Sequence, residues 1–194
     1  MKKILEVKHL RVSPIHEPHR HLVNDVSFDL YPGKTTCIVG ESGSGKSLTA
    51  LSIMKLLSSQ LKQTGDIVFE NQQLSQLSNA AMRSYRGKSM AMIFQEPMTS
   101  LNPVISVGDQ MKEALSVHLD LDKKSLNKKV AALLKEVGIA EDRVSSYPDE
   151  LSGGQRQRIM IAMSIACEPS ILIADEPTTA LDVTVQAQIL KFLQ

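Results

Sequence analysis

Gly40-Glu41-Ser42-Gly43-Ser44-Gly45-Lys46-Ser47 is the stretch on which the reading of this chain turns. It is a complete G-x-x-x-x-G-K-S, and its flanks suit that pattern. Residues 35–39 form a β-branched apolar run that predicts a buried strand, and residues 46–57 carry helical periodicity. Glycines in such a loop let successive backbone N–H groups converge on phosphate oxygens, and the start of the helix adds the positive end of its dipole. The candidate triphosphate-binding residues are therefore Gly40, Glu41, Ser42, Gly43, Ser44, Gly45, Lys46 and Ser47. Lys46 would reach the β and γ phosphates, and the Ser47 hydroxyl would bind Mg²⁺. The bland alternative is a flexible glycine turn, which the flanking elements disfavour.

A loop of this kind needs a second magnesium anchor. Ile171-Leu172-Ile173-Ala174-Asp175-Glu176 offers one, an apolar strand ending in two acids. Asp175 is the candidate for the metal, through water. Glu176 points differently from its neighbour and is the candidate general base for the attacking water. Read alone, two acids after a strand serve equally well as turn or capping residues; a phosphate loop in the same chain favours the catalytic reading. Leu151-Ser152-Gly153-Gly154-Gln155 is a third element, with Ser152 as N-cap, two glycines permitting close backbone approach and a helix from about residue 155 to 166. In isolation an ordinary capped helix explains it best.

Around these motifs the chain reads as one unit. Its 194 residues suffice for a domain with a substantial core, and its net charge of +1 arises from interspersed charges of both signs. No basic block supplies the field that nucleic-acid binding needs, so nucleic acid is not an implied partner. Cys37 and Cys167 are the only cysteines, each in an apolar run. That excludes a disulfide framework or a CxxC metal site and predicts core fillers. Glu6 and Lys8 interrupt the N-terminal segment before a signal core can form, and no stretch approaches the roughly 20 apolar residues of a membrane span. The expectation is a cytoplasmic protein that docks on a membrane partner.

Residues 4–12 and 23–30 alternate as strands of a small antiparallel sheet, and Tyr31-Pro32-Gly33-Lys34 is a turn. Residues 89–95 are another short strand, running into a segment where Pro97 and Pro103 forbid a regular element. Residues 126–137 carry one apolar helix face, with Gly138 placed to end the helix, and a final helix is expected from Val183 onward. Met90, Met92, Met160 and Met163 read as gap-filling core. His16, His19 and His21 read as solvated loop histidines rather than a metal site.

In their order along the chain these motifs resemble the nucleotide-binding subunits of ABC transporters. Gly40 to Ser47 matches Walker A, Gln95 the Q-loop, Leu151 to Gln155 the signature, Ile171 to Glu176 Walker B, and Ala180-Leu181-Asp182 the D-loop. The resemblance implies an α/β fold. It would comprise a P-loop NTPase (RecA-like) core with an N-terminal antiparallel β-subdomain and an inserted α-helical subdomain, the C-terminal part of the usual domain being absent. Residues 1–95 and 166–194 would form the ATP-binding core, and 96–165 the helical subdomain with the signature. Two such subunits would pair head to tail, each holding ATP and Mg²⁺ between its own P-loop and its partner's Ser152, Gly153, Gly154 and Gln155. Lys46, Gln95 and Glu176 would be catalytic, while Ser47, Gln95 and Asp175 would hold the metal.

The stretches from Met92 to Pro103 and from Ile173 to Gln188 are similar to the dipeptide, oligopeptide and nickel importer group. That group implies a second, related ATPase in a heterodimer, two transmembrane permease subunits, an extracytoplasmic solute-binding protein, and a place on the cytoplasmic face of the cell membrane. Peptide is the preferred cargo and nickel or another metal chelate the runner-up. The chain departs from the family in two places. No histidine follows His118 to act as the family's γ-phosphate switch, and no aromatic residue lies between Leu10 and Phe28 to stack adenine, a task left to His16, His19 or His21. The chain thus resembles a truncated subunit, and weak or absent turnover is expected from these 194 residues on their own. A soluble ABC-type ATPase and a non-catalytic nucleotide-binding module stay as competing functions.

Overall fold

Leu5, Val7, Leu10 and Val12 are all buried, and their spacing slips by one residue between Val7 and Leu10. The slip is a β-bulge in strand β1 (Leu5–Pro14), where the register to both neighbours shifts and His9 takes a left-handed φ of 51°. It turns His9 out and returns Leu10 to the core face, which a strict two-residue period would have lost. Opposite the bulge stands Gly65 at φ +95°, where a Cβ would lie 2.5 Å from the His9 carbonyl oxygen. Only glycine fits there.

The computed structural model describes residues 2–94, 101–177 and 186. It divides into two units, Met1–Arg83 and Ser84–Gln194. In the first, β1 pairs antiparallel with β2 (Val23–Leu30) and β3 (Leu61–Phe69), and β4 (Gln72–Gln73) closes the order β2-β1-β3-β4. The antiparallel N-terminal pair agrees with the sequence reading. Its third strand was hidden by Gly65, which breaks the alternation on which strand recognition rests. Helix α1 spans Lys46–Ile53 and α2 spans Asn79–Met82. The expected continuation of α1 to residue 57 fails at Lys55, whose φ of 51° is left-handed.

Residues 35–39 differ from expectation. They form no regular element, Val39 is 91% exposed, and Cys37 is exposed rather than a core filler. A β-branched run becomes a strand only when neighbours take its N–H and C=O groups and cover its side chains. Among the described strand pairings, none includes this run.

In the second unit, β5 (Met90–Ile93) is fully buried and pairs in parallel with β6 (Ile171–Ala174), from Met90↔Ile171 to Ile93↔Ala174. Three helices, α3 (Val107–Ser116), α4 (Lys123–Glu136) and α5 (Gly153–Ile165), enclose Met111, Leu115, Val130, Leu134 and Ile159. As expected, α4 ends at Gly138. The glycine takes φ +67°, its N–H donates to the Lys135 carbonyl, and that of Ile139 donates to the Leu134 carbonyl. This is a Schellman stop, which a residue without Cβ makes inexpensive. Met90, Met92 and Met160 are buried core, as read from their apolar surroundings.

Candidate nucleotide site

Residues 40–45 run without regular structure into α1, and the loop's geometry rests on its glycines. Gly43 and Gly45 take φ of 79° and 93°. A Cβ at Gly40 would stand 2.6 Å from Ser44 Oγ, and one at Gly45 would stand 2.7 Å from the Leu22 carbonyl oxygen. Gly45 is the N-cap residue of α1, and no side chain caps this helix. The amides of its first turn therefore keep the anion-attracting character of an uncapped helix start. Thr49 locks the junction, its N–H and Oγ1 each donating to the Gly45 carbonyl at 2.9 Å. Lys46 folds back across the loop, its Nζ donating to the carbonyls of Gly40 and Glu41 at 2.9 Å each. An ammonium is thereby held inside the span of the loop, where a phosphate oxygen can exchange for either carbonyl. Glycine at 45 is required by the Leu22 carbonyl packed against it, and the loop so held, with its uncapped helix start and inward ammonium, fits a triphosphate.

Asp175 and Glu176 lie in the second unit, just past β6. The Asp175 N–H donates to the Ile93 carbonyl at 3.0 Å, extending the β5–β6 ladder by one residue. Glu176 then takes a left-handed φ of 46° and precedes Pro177. A proline disfavours the right-handed helical region for the residue before it, and a left-handed non-glycine residue costs about 1–3 kcal/mol. Both acids are half-buried. Ser47 in the first unit offers a hydroxyl and Asp175 in the second a carboxylate, each an oxygen donor of the kind Mg²⁺ prefers.

The signature segment starts α5. Ser152, at φ −65° and ψ 160°, accepts from the Gln155 N–H at 3.3 Å, while the Gln155 side chain accepts from the Ser152 N–H at 2.9 Å. This reciprocal capping box leaves Ser152 and Gly153 exposed, with nothing within 4 Å of a Cβ built on Gly153. Further along, the Arg158 guanidinium donates to the Val137 carbonyl at 3.2 Å, binding α5 to the end of α4. Ser164 Oγ lies 3.4 Å from the Met92 carbonyl of β5. Gln157, only 2% exposed, donates its side-chain amide to the Pro177 carbonyl.

The structure thus places residues 40–47 on one loop and helix, 152–155 on the start of α5, and 175–176 on the turn after β6. Gln95, the D-loop at 180–182 and the expected helix from Val183 lie outside the described residues, Gln186 excepted. His21 Nδ1 lies 2.8 Å from Ser13 Oγ, and His16 and His19 are exposed. Among the described residues, no three of His, Cys, Asp and Glu gather where they could hold a metal ion. Two features escaped the sequence reading. The Ser-x-x-Gln spacing of a capping box was visible at Ser152 and Gln155. Gln157 also left a trace, as a polar residue in phase with Met160 and Ile161 on the buried face of α5.

Residues 23–179 match the family model described as ABC transporter. Over its whole length the chain is 52% identical to the dipeptide transport ATP-binding protein DppD of Bacillus subtilis (strain 168), of which it spans 59%. It is 48% identical to the oligopeptide transport ATP-binding protein OppD of the same organism, over 99% of this chain and 55% of that one. The chain therefore spans little more than half the length of these curated relatives. Among solved structures it is similar to the dimeric post-hydrolysis state of the ATP-binding cassette MJ0796 bound to ADP and Pi. The TM-score is 0.84 at 26% identity, covering 97% of this chain and 81% of that one. The cbiO1 subunit from Clostridium perfringens, part of the ABC transporter complex cbiONQ, superposes with a TM-score of 0.79 at 28% identity. That match covers 100% of this chain and 73% of that one. These cassettes share the α/β P-loop architecture expected from the motifs.

Proposed function

The chain belongs to the ABC transporter family, and from that premise we propose that it is the ATP-binding and ATP-hydrolysing subunit of an importer for di- or oligopeptides. The observation carrying the nucleotide half of this reading is the loop at 40–47, with Lys46 Nζ held at 2.9 Å from two loop carbonyls at the start of an uncapped helix. The cargo half is supported by relatives named for dipeptide and oligopeptide transport.

In this reading the loop amides and Lys46 bind the triphosphate, and the partner subunit's signature segment covers it. Ser152 is exposed at a preformed helix start, so it can add its hydroxyl and the neighbouring amides to a phosphate without rearranging. Glu176 accepts the proton of the attacking water, and Gln95 orients that water. Ser47, Asp175 and Gln95 would hold Mg²⁺, which would supply positive charge to the phosphates. Binding across the seam draws two subunits together, and hydrolysis releases them. Residues 1–95 and 166–194 act as the nucleotide core and 96–165 as the lobe that transmits this motion. The companion is a related ATPase, in a heterodimer, beneath two transmembrane permeases fed by an extracytoplasmic solute-binding protein. Among the described residues no helix is long and apolar enough to cross a membrane. In this reading the subunit sits on the cytoplasmic face through its permease contacts.

Proteoliposomes containing the assembled transporter test this directly. The expected result is uptake of a labelled di- or oligopeptide that requires internal MgATP and the binding protein. Uptake of nickel but no peptide, or peptide uptake independent of ATP, would overturn it.

A further inference from the structure

We propose that Gln157 is a positioning residue for the hydrolytic carboxylate, holding the turn that carries Glu176 through its amide bond to the Pro177 carbonyl. This rests on the reading of Glu176 as the general base.

Gln157 is only 2% exposed, on the helix face that also buries Met160 and Ile161. A primary amide in such a place is costly unless it is bonded. Its donor goes to the carbonyl one residue past Glu176. That residue needs an external hold. Its φ of 46° is a conformation that a non-glycine side chain resists, and the following proline removes the usual helical alternative. Such torsions persist where the surroundings over-determine them. Anchors flank the turn: before it, the Asp175 N–H donates to the Ile93 carbonyl at 3.0 Å, and after it, the Gln157 amide donates to the Pro177 carbonyl. Release of the Gln157 bond removes one of the holds on a strained turn. The carboxylate then swings, and displacing a reacting group by about 1 Å can cost on the order of 100-fold in rate.

The same bond has a second consequence. Gln157 lies five residues, about 7.5 Å of helix rise, beyond Ser152. The residue that covers the partner's nucleotide and the turn that bears this chain's own base are thus joined by a turn and a half of one helix. Movement of α5 as a partner's nucleotide engages Ser152 is passed to Glu176 through Gln157.

The test uses the assembled ATPase and Gln157→Met, which keeps side-chain length and removes the donor. We expect kcat to fall about tenfold with the KM for ATP within twofold of the parent. The discriminating measurement is the double variant: Gln157→Met added to Glu176→Gln should slow the residual hydrolysis of labelled ATP no further. A merely structural role would lower the rate by the same factor in both backgrounds. Gln157→Glu, which replaces the donating NH₂ by oxygen, must give the same pattern and serves if the methionine variant fails to assemble. Parental kcat in either variant, or equal losses with and without Glu176, would overturn the inference. The outcomes also separate the two ideas. If Glu176→Gln itself turned over ATP at the parental rate, the assignment of the base would fail. If that variant were slow while Gln157→Met was not, only the role of Gln157 would fall.

Discussion

Helices α1 and α5 both start next to glycines, yet their first turns are built in opposite ways. The start of α1 has a left-handed glycine as its cap residue and no capping side chain, and a lysine from its own first turn spans the loop before it. The start of α5 is closed by Ser152 and Gln155, each accepting from the other's backbone. An uncapped start leaves amide dipole strength for a ligand, whereas a capping box makes a helix that stands without one. The first is a receptor awaiting a charge, and the second is a finished surface to be presented. That division of labour suits the proposed function, in which two subunits complete one site. Ser152 and Gly153 are left exposed at that finished start.

Changes at each helix, and at the carboxylate turn between their roles, can break or sharpen this contrast. The largest effect is expected from Glu176→Gln, which should reduce turnover by about 10²–10⁴-fold while preserving ATP binding, as single-turnover assays against equilibrium binding would reveal. Lys46→Ala removes charge-assisted bonds to the phosphates. It should weaken MgATP binding on the order of 100-fold by calorimetry, with the fold intact by circular dichroism. Next come the two glycines. Gly45→Ala places a Cβ 2.7 Å from the Leu22 carbonyl at φ +93°, and should lower unfolding stability by about 1–3 kcal/mol. Gly153→Ala meets nothing within 4 Å and should leave stability within about 0.5 kcal/mol of the parent. Equal destabilisation by the two would erase the distinction drawn between the helix starts. Ser152→Ala opens the capping box and should cost about 1 kcal/mol in chemical denaturation, besides weakening the ATP-dependent pair.

Much of this was legible in the sequence because motifs and periodicity are local. The glycine spacing at 40–47, the apolar stripe of α4 with its stop at Gly138, and the apolar strand before Asp175 each carry their instruction within a dozen residues. What escaped depended on distant partners. Residues 35–39 have a strand's composition, but a strand exists only if neighbours accept its backbone, and no local pattern records that. Strand β3 was concealed by Gly65, whose presence makes sense only against the bulge at His9. The left-handed turn at Glu176 and its tie to Gln157 join residues nearly 20 apart, so neither residue type nor spacing announced them. Candidates for the chemistry could be proposed from sequence, while the residue proposed to hold one of them in place required coordinates.

Sedimentation of the Glu176→Gln subunit with its companion ATPase asks whether ATP is held between two subunits. A two-subunit species should form only with MgATP and be lost when either Lys46→Ala or Ser152→Asp is introduced. If the pair assembled equally well without nucleotide, or the lone subunit carrying Ser152→Asp bound ATP as tightly as the intact pair, the shared site would be contradicted.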